Sequence, residues 1–183
     1  MPVIISLLRG INVGGHKPIK MDALCSVYKA IGLGDVQSCL QSGNVVFRAK
    51  TRSLKILTKQ IEDAIEQKFG QHSEVILRTS SELKRVIANN PFAKAPGIET
   101  GKLGLVFFKE TPAVESCEQV LGVKAKDEEV HSNGREFYIY FGSGMGRSKL
   151  FAAIARKLTS GTTRNWNTVA KLAEIVERLE TPA

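Results

Sequence analysis

The order in which two kinds of apolar pattern follow each other along the chain constrains its fold most. Short apolar runs bounded by glycine or polar residues predict strands, and apolar residues spaced by three and four predict amphipathic helices. Over residues 1–80 these patterns predict the order strand, helix, strand, strand, helix, strand. This is the order of a ferredoxin-like βαββαβ unit, an antiparallel sheet with both helices on one face.

The same order starts again after a segment without periodicity. "LGLVFFKE" predicts a strand, Pro112 suits the first turn of a helix, and "NG" between "EEVHS" and "EFYIYF" predicts a hairpin. Two further helical patterns follow, separated by the extended stretch "GTTRN". The sequence therefore predicts an α+β protein of two ferredoxin-like halves with a C-terminal helix. The predicted parts are a first half over residues 1–80, a connecting helix and loop over 81–101, and a second half with the C-terminal helix over 102–183.

Composition places the chain among soluble globular proteins and excludes several classes. Of its 183 residues 43% are hydrophobic and 24% are charged. The first apolar run is interrupted by Arg9, which leaves it too short for a signal sequence or a membrane span, so a cytoplasmic protein is expected. Neither the three cysteines nor the three histidines have the spacing of metal ligands, and no metal site is predicted.

The net charge of +8 is concentrated at the two ends of the chain. Residues 1–80 have eleven Lys or Arg against six Asp or Glu, and residues 142–183 have seven against three. Residues 81–141 have eight against nine. A basic surface attracts phosphates and other anions, although solubility alone also accounts for a charge of this size.

Two polar stretches in the first half have both a functional and a structural interpretation. In "RGINVGG", Gly14 and Gly15 would let the backbone approach a ligand beside Arg9 and Asn12, or would simply form a turn. In "QSGNVVF", the side chains of Ser42 and Asn44 suit a polar ligand, or belong to ordinary turn chemistry.

Two more such stretches lie in the second half. "GSGMGRSKL" places Arg147 and Ser148 at a helix start, where free N–H groups and the helix dipole favour an anion. It lacks the Walker A spacing, and Ser148 also suits a simple N-cap. In "TTRNWNT", Arg164 and Asn165 flank Trp166, which suits stacking on a base or anchoring of the last helix in the core.

Together, "LLRGINVGG", "QSGNVVF", "GMGRSKL" and "TTRNWNTVAKL" resemble the bacterial family of unknown function DUF1697. The resemblance covers nearly the whole chain. It implies a two-part α+β protein built from ferredoxin-like halves, and it implies no biochemical activity. Cys39 and Lys17 depart from the family pattern and receive no shared role.

The leading hypothesis is that the four stretches line one basic polar cleft between the two halves. "GMGRSKL" and "TTRNW" are expected at the place in the second half that matches the place of "LLRGINVGG" in the first. Arg9, Arg147 and Arg164 would bind the phosphate of a nucleic acid or nucleotide, and Trp166 would stack on a base. One alternative is an enzyme that acts on a small anionic metabolite. The other is that the motifs are hydrogen-bonded structural networks without a ligand. The sequence identifies no cofactor, substrate, reaction or oligomeric state.

Overall fold

The computed structural model describes residues 1–12 and 18–181. Strands and helices follow each other in the predicted order, and short 3-10 helices lie at Thr100–Lys102 and Met145–Arg147. The elements are β1 (Val3–Leu8), α1 (Met21–Ala30), β2 (Gly34–Cys39), β3 (Asn44–Arg48), α2 (Leu54–Phe69), β4 (Val75–Thr79), α3 (Ser80–Ala88), β5 (Leu103–Phe108), α4 (Val114–Leu121), β6 (Glu128–Asn133), β7 (Glu136–Phe141), α5 (Lys149–Lys157), β8 (Gly161–Asn165) and α6 (Trp166–Glu180).

The strands form two four-stranded antiparallel sheets of the same topology. The strand order is β2-β3-β1-β4 in the first sheet and β6-β7-β5-β8 in the second. In each sheet the first strand along the chain is central and pairs with the third and the fourth. The prediction of two ferredoxin-like halves with a C-terminal helix is confirmed.

The chain divides into two compact units at positions inside helices. The first unit contains Met1–Arg85 and the segment that begins at Lys171, and the second contains Val86–Ala170. The first division falls within α3 and the second within α6. The sequence-based boundaries after residues 80 and 101 stay a prediction.

The first unit buries the apolar stripes of α1 and α2 against one face of its sheet. Leu24, Ile61 and Phe47 belong to this core, and none of them is exposed to solvent. Ser53 caps the start of α2 by accepting a hydrogen bond from the Ile56 N–H, a typical N-cap. Apolar residues at helical spacing therefore fold as the sequence predicts.

The part of α6 after Lys171 lies along the β2–β3 side of the first sheet. Burial raises the pKa of the Cys39 thiol, and the charges of Lys171 and Glu174 also act on this thiol. At the other end of the hairpin, the Arg48 guanidinium donates to the carbonyl oxygen of Leu179. The part of α6 after Lys171 thus belongs to the first unit.

The second unit repeats this plan around an aromatic core. Phe108 and Phe137 contact each other edge to face, with ring centres 4.9 Å apart. Leu150 and Ile154 supply the buried stripe of α5. These residues pack in one core that includes Val120 of α4.

Both central strands are buried on both faces. All six residues of β1 and all six of β5 are buried. This explains why both strands are continuous apolar runs instead of alternating ones. An aromatic platform on an open sheet face, as in many single-strand RNA binders, is therefore not available on these strands.

The last strand of each sheet shows how closely the two halves correspond. Arg78 of β4 lies opposite Ile5, and Arg164 of β8 lies opposite Leu105, at the same register of the two sheets. A helix starts directly after each of these strands. The last residue of the strand, Thr79 or Asn165, accepts a hydrogen bond from an N–H in the first turn of that helix. Thr79 accepts from the Glu82 N–H while Glu82 accepts from the Thr79 N–H, a capping box.

Among the described helices, none combines the length and the apolar character needed to cross a bilayer. The cytoplasmic location expected from the sequence stays a prediction.

Candidate functional site

Arg9 joins the end of β1 to the segment before β4. Its guanidinium donates to the Glu74 carboxylate at 2.8 Å, and its carbonyl accepts from the Ser73 hydroxyl at 3.0 Å. The side chains of Arg9 and Glu74 are 33% and 37% exposed, so this ion pair contributes at most about 1 kcal/mol. Arg9, which the sequence predicts to bind a phosphate, is thus paired with a carboxylate in the structure.

Asn12 connects the end of β1 to Ile19 and Gln41 by hydrogen bonds. Its Nδ2 donates to the carbonyls of Ile19 (3.0 Å) and Gln41 (3.1 Å), and its Oδ1 accepts from the Ile19 N–H at 2.7 Å. The backbone of Asn12 is left-handed, with φ of 57°, a conformation that Asn tolerates better than most residues. The predicted site residues Gly14 and Gly15 lie outside the described residues.

Ser42 and Asn44 build the turn between β2 and β3. Asn44 is fully buried, and its Nδ2 donates to the Cys39 carbonyl at 3.0 Å and to the Ser42 hydroxyl at 2.8 Å. Gly43 has φ of +68°, and a Cβ on it would lie 2.3 Å from the Ile11 side chain. In the structure this motif therefore holds the β2–β3 turn together by hydrogen bonds and by close packing of Gly43.

The segment before α5 exposes cations around a helix start. Ser148 accepts from the Phe151 N–H at 2.9 Å and is the N-cap of α5. Arg147 and Lys149 on either side of it are both exposed. The loop that precedes them is anchored at Asp127, whose carboxylate accepts from the Ser143 hydroxyl at 2.6 Å. This leaves Arg147 and Lys149 as surface charges at the positive end of the helix dipole.

The last motif lies at the end of β8 and is largely internal. Arg164 is 8% exposed, and this burial lowers its pKa to about 10. Its guanidinium donates to the Thr162 hydroxyl at 2.7 Å and to the Thr163 carbonyl at 3.0 Å. Asn165 donates to the Gly101 carbonyl and accepts from the Asn167 N–H. Trp166 is half-buried at the start of α6.

Within each unit, the strands next to the two predicted motifs meet at one end of the sheet. In the first unit, Leu8 donates to the Gly43 carbonyl at 2.8 Å, so the "RGINVGG" and "QSGN" motifs meet where β1 ends. In the second unit, β7 and β8 both end beside Leu103 and Gly104, where β5 begins. The prediction that the motifs recur at matching topological places is therefore wrong. The two motifs of the first unit lie where the central strand β1 ends, whereas antiparallel pairing places the ends of β7 and β8 where the central strand β5 begins.

The structure adds exposed cations that the four sequence motifs do not include. Arg156 and Lys157 lie in the last turn of α5 and are exposed. A signal for them was present, because the chain from Phe137 to Ala173 contains six Lys or Arg and no Asp or Glu. We call the exposed side chains of Arg147, Lys149, Arg156 and Lys157 the α5 surface.

A matching start is found at the equivalent helix of the first unit. Arg52 and Ser53 precede α2 as Arg147 and Ser148 precede α5, and both serines cap their helix. The two helices differ afterwards, because α2 contains Glu62, Asp63 and Glu66 whereas α5 contains no carboxylate. The two helices therefore share a capped start and differ in charge.

Comparisons with known proteins agree with this fold. The chain is similar to the solved structure of the conserved bacterial protein SP0830 from Streptococcus pneumoniae, with 20% sequence identity and a TM-score of 0.72, over 96% of this chain and 98% of that chain. At this identity the similarity shows a common fold alone. No curated protein matches the chain. The family model described as "Protein of unknown function (DUF1697)" matches residues 1–138, and the chain belongs to this family.

Proposed function

We propose that the protein binds a phosphate-bearing ligand, with nucleic acid as the broadest class, through the α5 surface. The observation that supports this proposal is the exposure of four cations around and along a helix that has no carboxylate of its own. Clusters of exposed cations are the electrostatic footprint of phosphate binding.

The start of α5 is where a phosphate group is favoured most. Backbone N–H groups in the first turn of a helix have no partner within the helix, and the macrodipole adds a partial positive charge there. Ser148 accepts from one of these N–H groups. Arg147 and Lys149 then add two full charges on either side of the cap.

Three of the other predicted ligand residues have partners that support a structural role. Asn12, Asn44 and Asn165 each hydrogen-bond to the backbone of another loop or strand. We therefore propose that these three side chains hold loops in place and that the α5 surface contacts the ligand. The single cleft lined by all four motifs and the enzyme acting on an anionic metabolite stay predictions.

The test is the binding of a fluorescently labelled single-stranded RNA of twelve nucleotides, followed by anisotropy between about 50 and 200 mM salt. Neutralising phosphates at about four cations predicts a slope of log K against log salt of about −3. The variant with Arg147→Ala and Lys149→Ala should weaken binding by at least about 10-fold, because two cations no longer neutralise a phosphate. Thermal stabilisation by a sugar phosphate without RNA binding would instead favour the enzyme.

The matched control replaces Arg52 and Lys55 by alanine at the capped start of α2. It removes the same charge from a helix start that is likewise capped by serine, in a helix that contains carboxylates. RNA affinity should change by less than about 3-fold. Equal losses in both variants, or a binding constant that does not depend on salt, would contradict the proposal.

A further inference from the structure

The exposed face of α5 continues the charge of its first turn along the helix. Lys149, Ala152 and Arg156 follow each other at spacings of three and four, so they form one row on the helix surface, and all three are exposed. The opposite face, with Leu150, Ile154 and the adjoining Leu158, is buried. The row therefore consists of two cations with a small side chain between them.

The length of this row exceeds that of a single phosphate group. At about 1.5 Å per residue, the backbone positions of Lys149 and Arg156 lie about 10 Å apart along the helix axis. A row of this length can place its two cations against different phosphates of one strand. One small phosphorylated metabolite reaches only one end of the row.

Carboxylates limit the basic surface on the side of α4. That helix packs beside α5 and carries Glu115 and Glu118. Lys157 donates to the Gln119 side chain of α4 at 3.5 Å and therefore lies at the border between the two helices. An anionic chain is thus favoured over the row of Lys149 and Arg156 and disfavoured over α4.

From this arrangement we infer that the ligand is a nucleic-acid strand whose sugar-phosphate backbone runs along α5. One phosphate binds at Arg147 and Lys149, and another phosphate of the same strand binds at Arg156. Contacts to phosphates carry no sequence information, and Ala152 between the two ends has no hydrogen-bonding group, so the row itself reads no bases. This inference rests on the proposed function and adds a minimum length and an absence of sequence preference.

The test compares AMP with single-stranded RNAs of two, four and twelve nucleotides at 0.1 M salt. Affinity should rise by at least 10-fold from two nucleotides to twelve. In the variant with Arg156→Ala and Lys157→Ala, the affinity for the twelve-nucleotide RNA should fall by about 5-fold to 25-fold, because one or two phosphates lose their cation. The affinity for AMP should stay within 2-fold of the original.

A control variant carries Lys29→Ala and Lys68→Ala, which remove exposed lysines from the last turns of α1 and α2. It should bind all of these ligands as the original protein does, and circular dichroism should show that both variants are folded. Two twelve-nucleotide RNAs of different sequence should bind within 3-fold of each other.

The outcomes separate the inference from the proposed function. If AMP and the twelve-nucleotide RNA bind equally well and both depend on Arg147, the phosphate site stands and the inference is wrong. A preference above 10-fold for one RNA sequence would also overturn the inference. If none of these ligands binds, both the proposed function and the inference fail.

Discussion

At the scale of single residues, Gly43 shows why a glycine is required inside a motif that also suits a ligand site. Its φ is +68°, and a Cβ would lie 2.3 Å from the Ile11 side chain and 3.0 Å from that of Leu8. Gly43→Ala combines a left-handed backbone, at about 1–2 kcal/mol, with overpacking, at about 1–3 kcal/mol. We expect a loss of about 2–5 kcal/mol in the free energy of unfolding, measured by urea denaturation.

Gly70 provides the control for this prediction. It has φ of +69°, nearly the same as Gly43, and a Cβ on it would meet nothing within 4 Å. Gly70→Ala should therefore cost only the backbone contribution of about 1–2 kcal/mol. Equal losses for the two variants would show that the contact with Ile11 does not matter.

Single residues are also where the sequence is least informative about the site. Asn12 and Asn44 stand in motifs whose composition suits a polar ligand equally well. Their partners are the carbonyls of Ile19, Gln41 and Cys39, and only the folded chain brings these groups together. No local pattern distinguishes an amide that binds its own backbone from one that binds a ligand.

At the scale of elements, the N-cap of α5 combines a structural role with a proposed binding role, and the two are separable. Ser148→Ala should cost about 1 kcal/mol, because the Phe151 N–H loses its acceptor. Ser148→Asp keeps a good cap and adds a negative charge that suits the helix dipole. Stability measured by thermal unfolding should therefore be nearly unchanged in Ser148→Asp.

RNA affinity should fall in Ser148→Asp, the variant that keeps its stability, and change little in Ser148→Ala, the variant that loses stability. The added carboxylate in Ser148→Asp occupies the place proposed for a phosphate beside Arg147 and Lys149. We expect at least a 5-fold loss of affinity for the twelve-nucleotide RNA in Ser148→Asp and less than 3-fold in Ser148→Ala. Ser53→Asp at the start of α2 is the control and should leave RNA binding unchanged. Unchanged affinity in Ser148→Asp would separate this helix start from the ligand.

Elements were largely predictable because their signals are local. The apolar spacing in α2, its serine cap and its C-terminal glycine are all within reach of a short window of sequence. The same holds for the hairpin at "NG", where Gly134 has φ of +60°. The exposed cations at the end of α5 form no motif, and they become a surface only together with Arg147 and Lys149 in the folded chain.

At the scale of the whole molecule, the repeated strand-helix order was sufficient to predict both ferredoxin-like halves. The placement of the ends of the chain was not predictable in this way. Both faces of β1 are buried, although a single layer of helices covers only one face of a sheet. Which segment packs on the second face depends on contacts between residues far apart in sequence, such as Arg48 with Leu179.

The composition of the first unit leads to a prediction about fragments. Leu172 and Val176 of α6 are 0% and 1% exposed, and the segment that contains them belongs to the first unit. Lys84 and Glu180 add an ion pair of 2.5 Å near the end of this helix. A fragment of residues 1–101 contains the complete first sheet but lacks this helix. It should therefore not fold alone, and its amide NMR spectrum should show the narrow dispersion of an unfolded chain.

Addition of a peptide of residues 166–183 to the fragment is the decisive control. Burying a Leu or Val side chain contributes about 1.5–3 kcal/mol each, so losing both removes a large part of the stability of a domain. The peptide should restore dispersed amide signals, whereas the same peptide with Leu172→Ala and Val176→Ala should not. A fragment that is fully folded without any peptide would show that the first unit is complete within residues 1–101. The folding unit would then end at the sequence-based boundary after residue 101, and the segment from Lys171 would not be part of it.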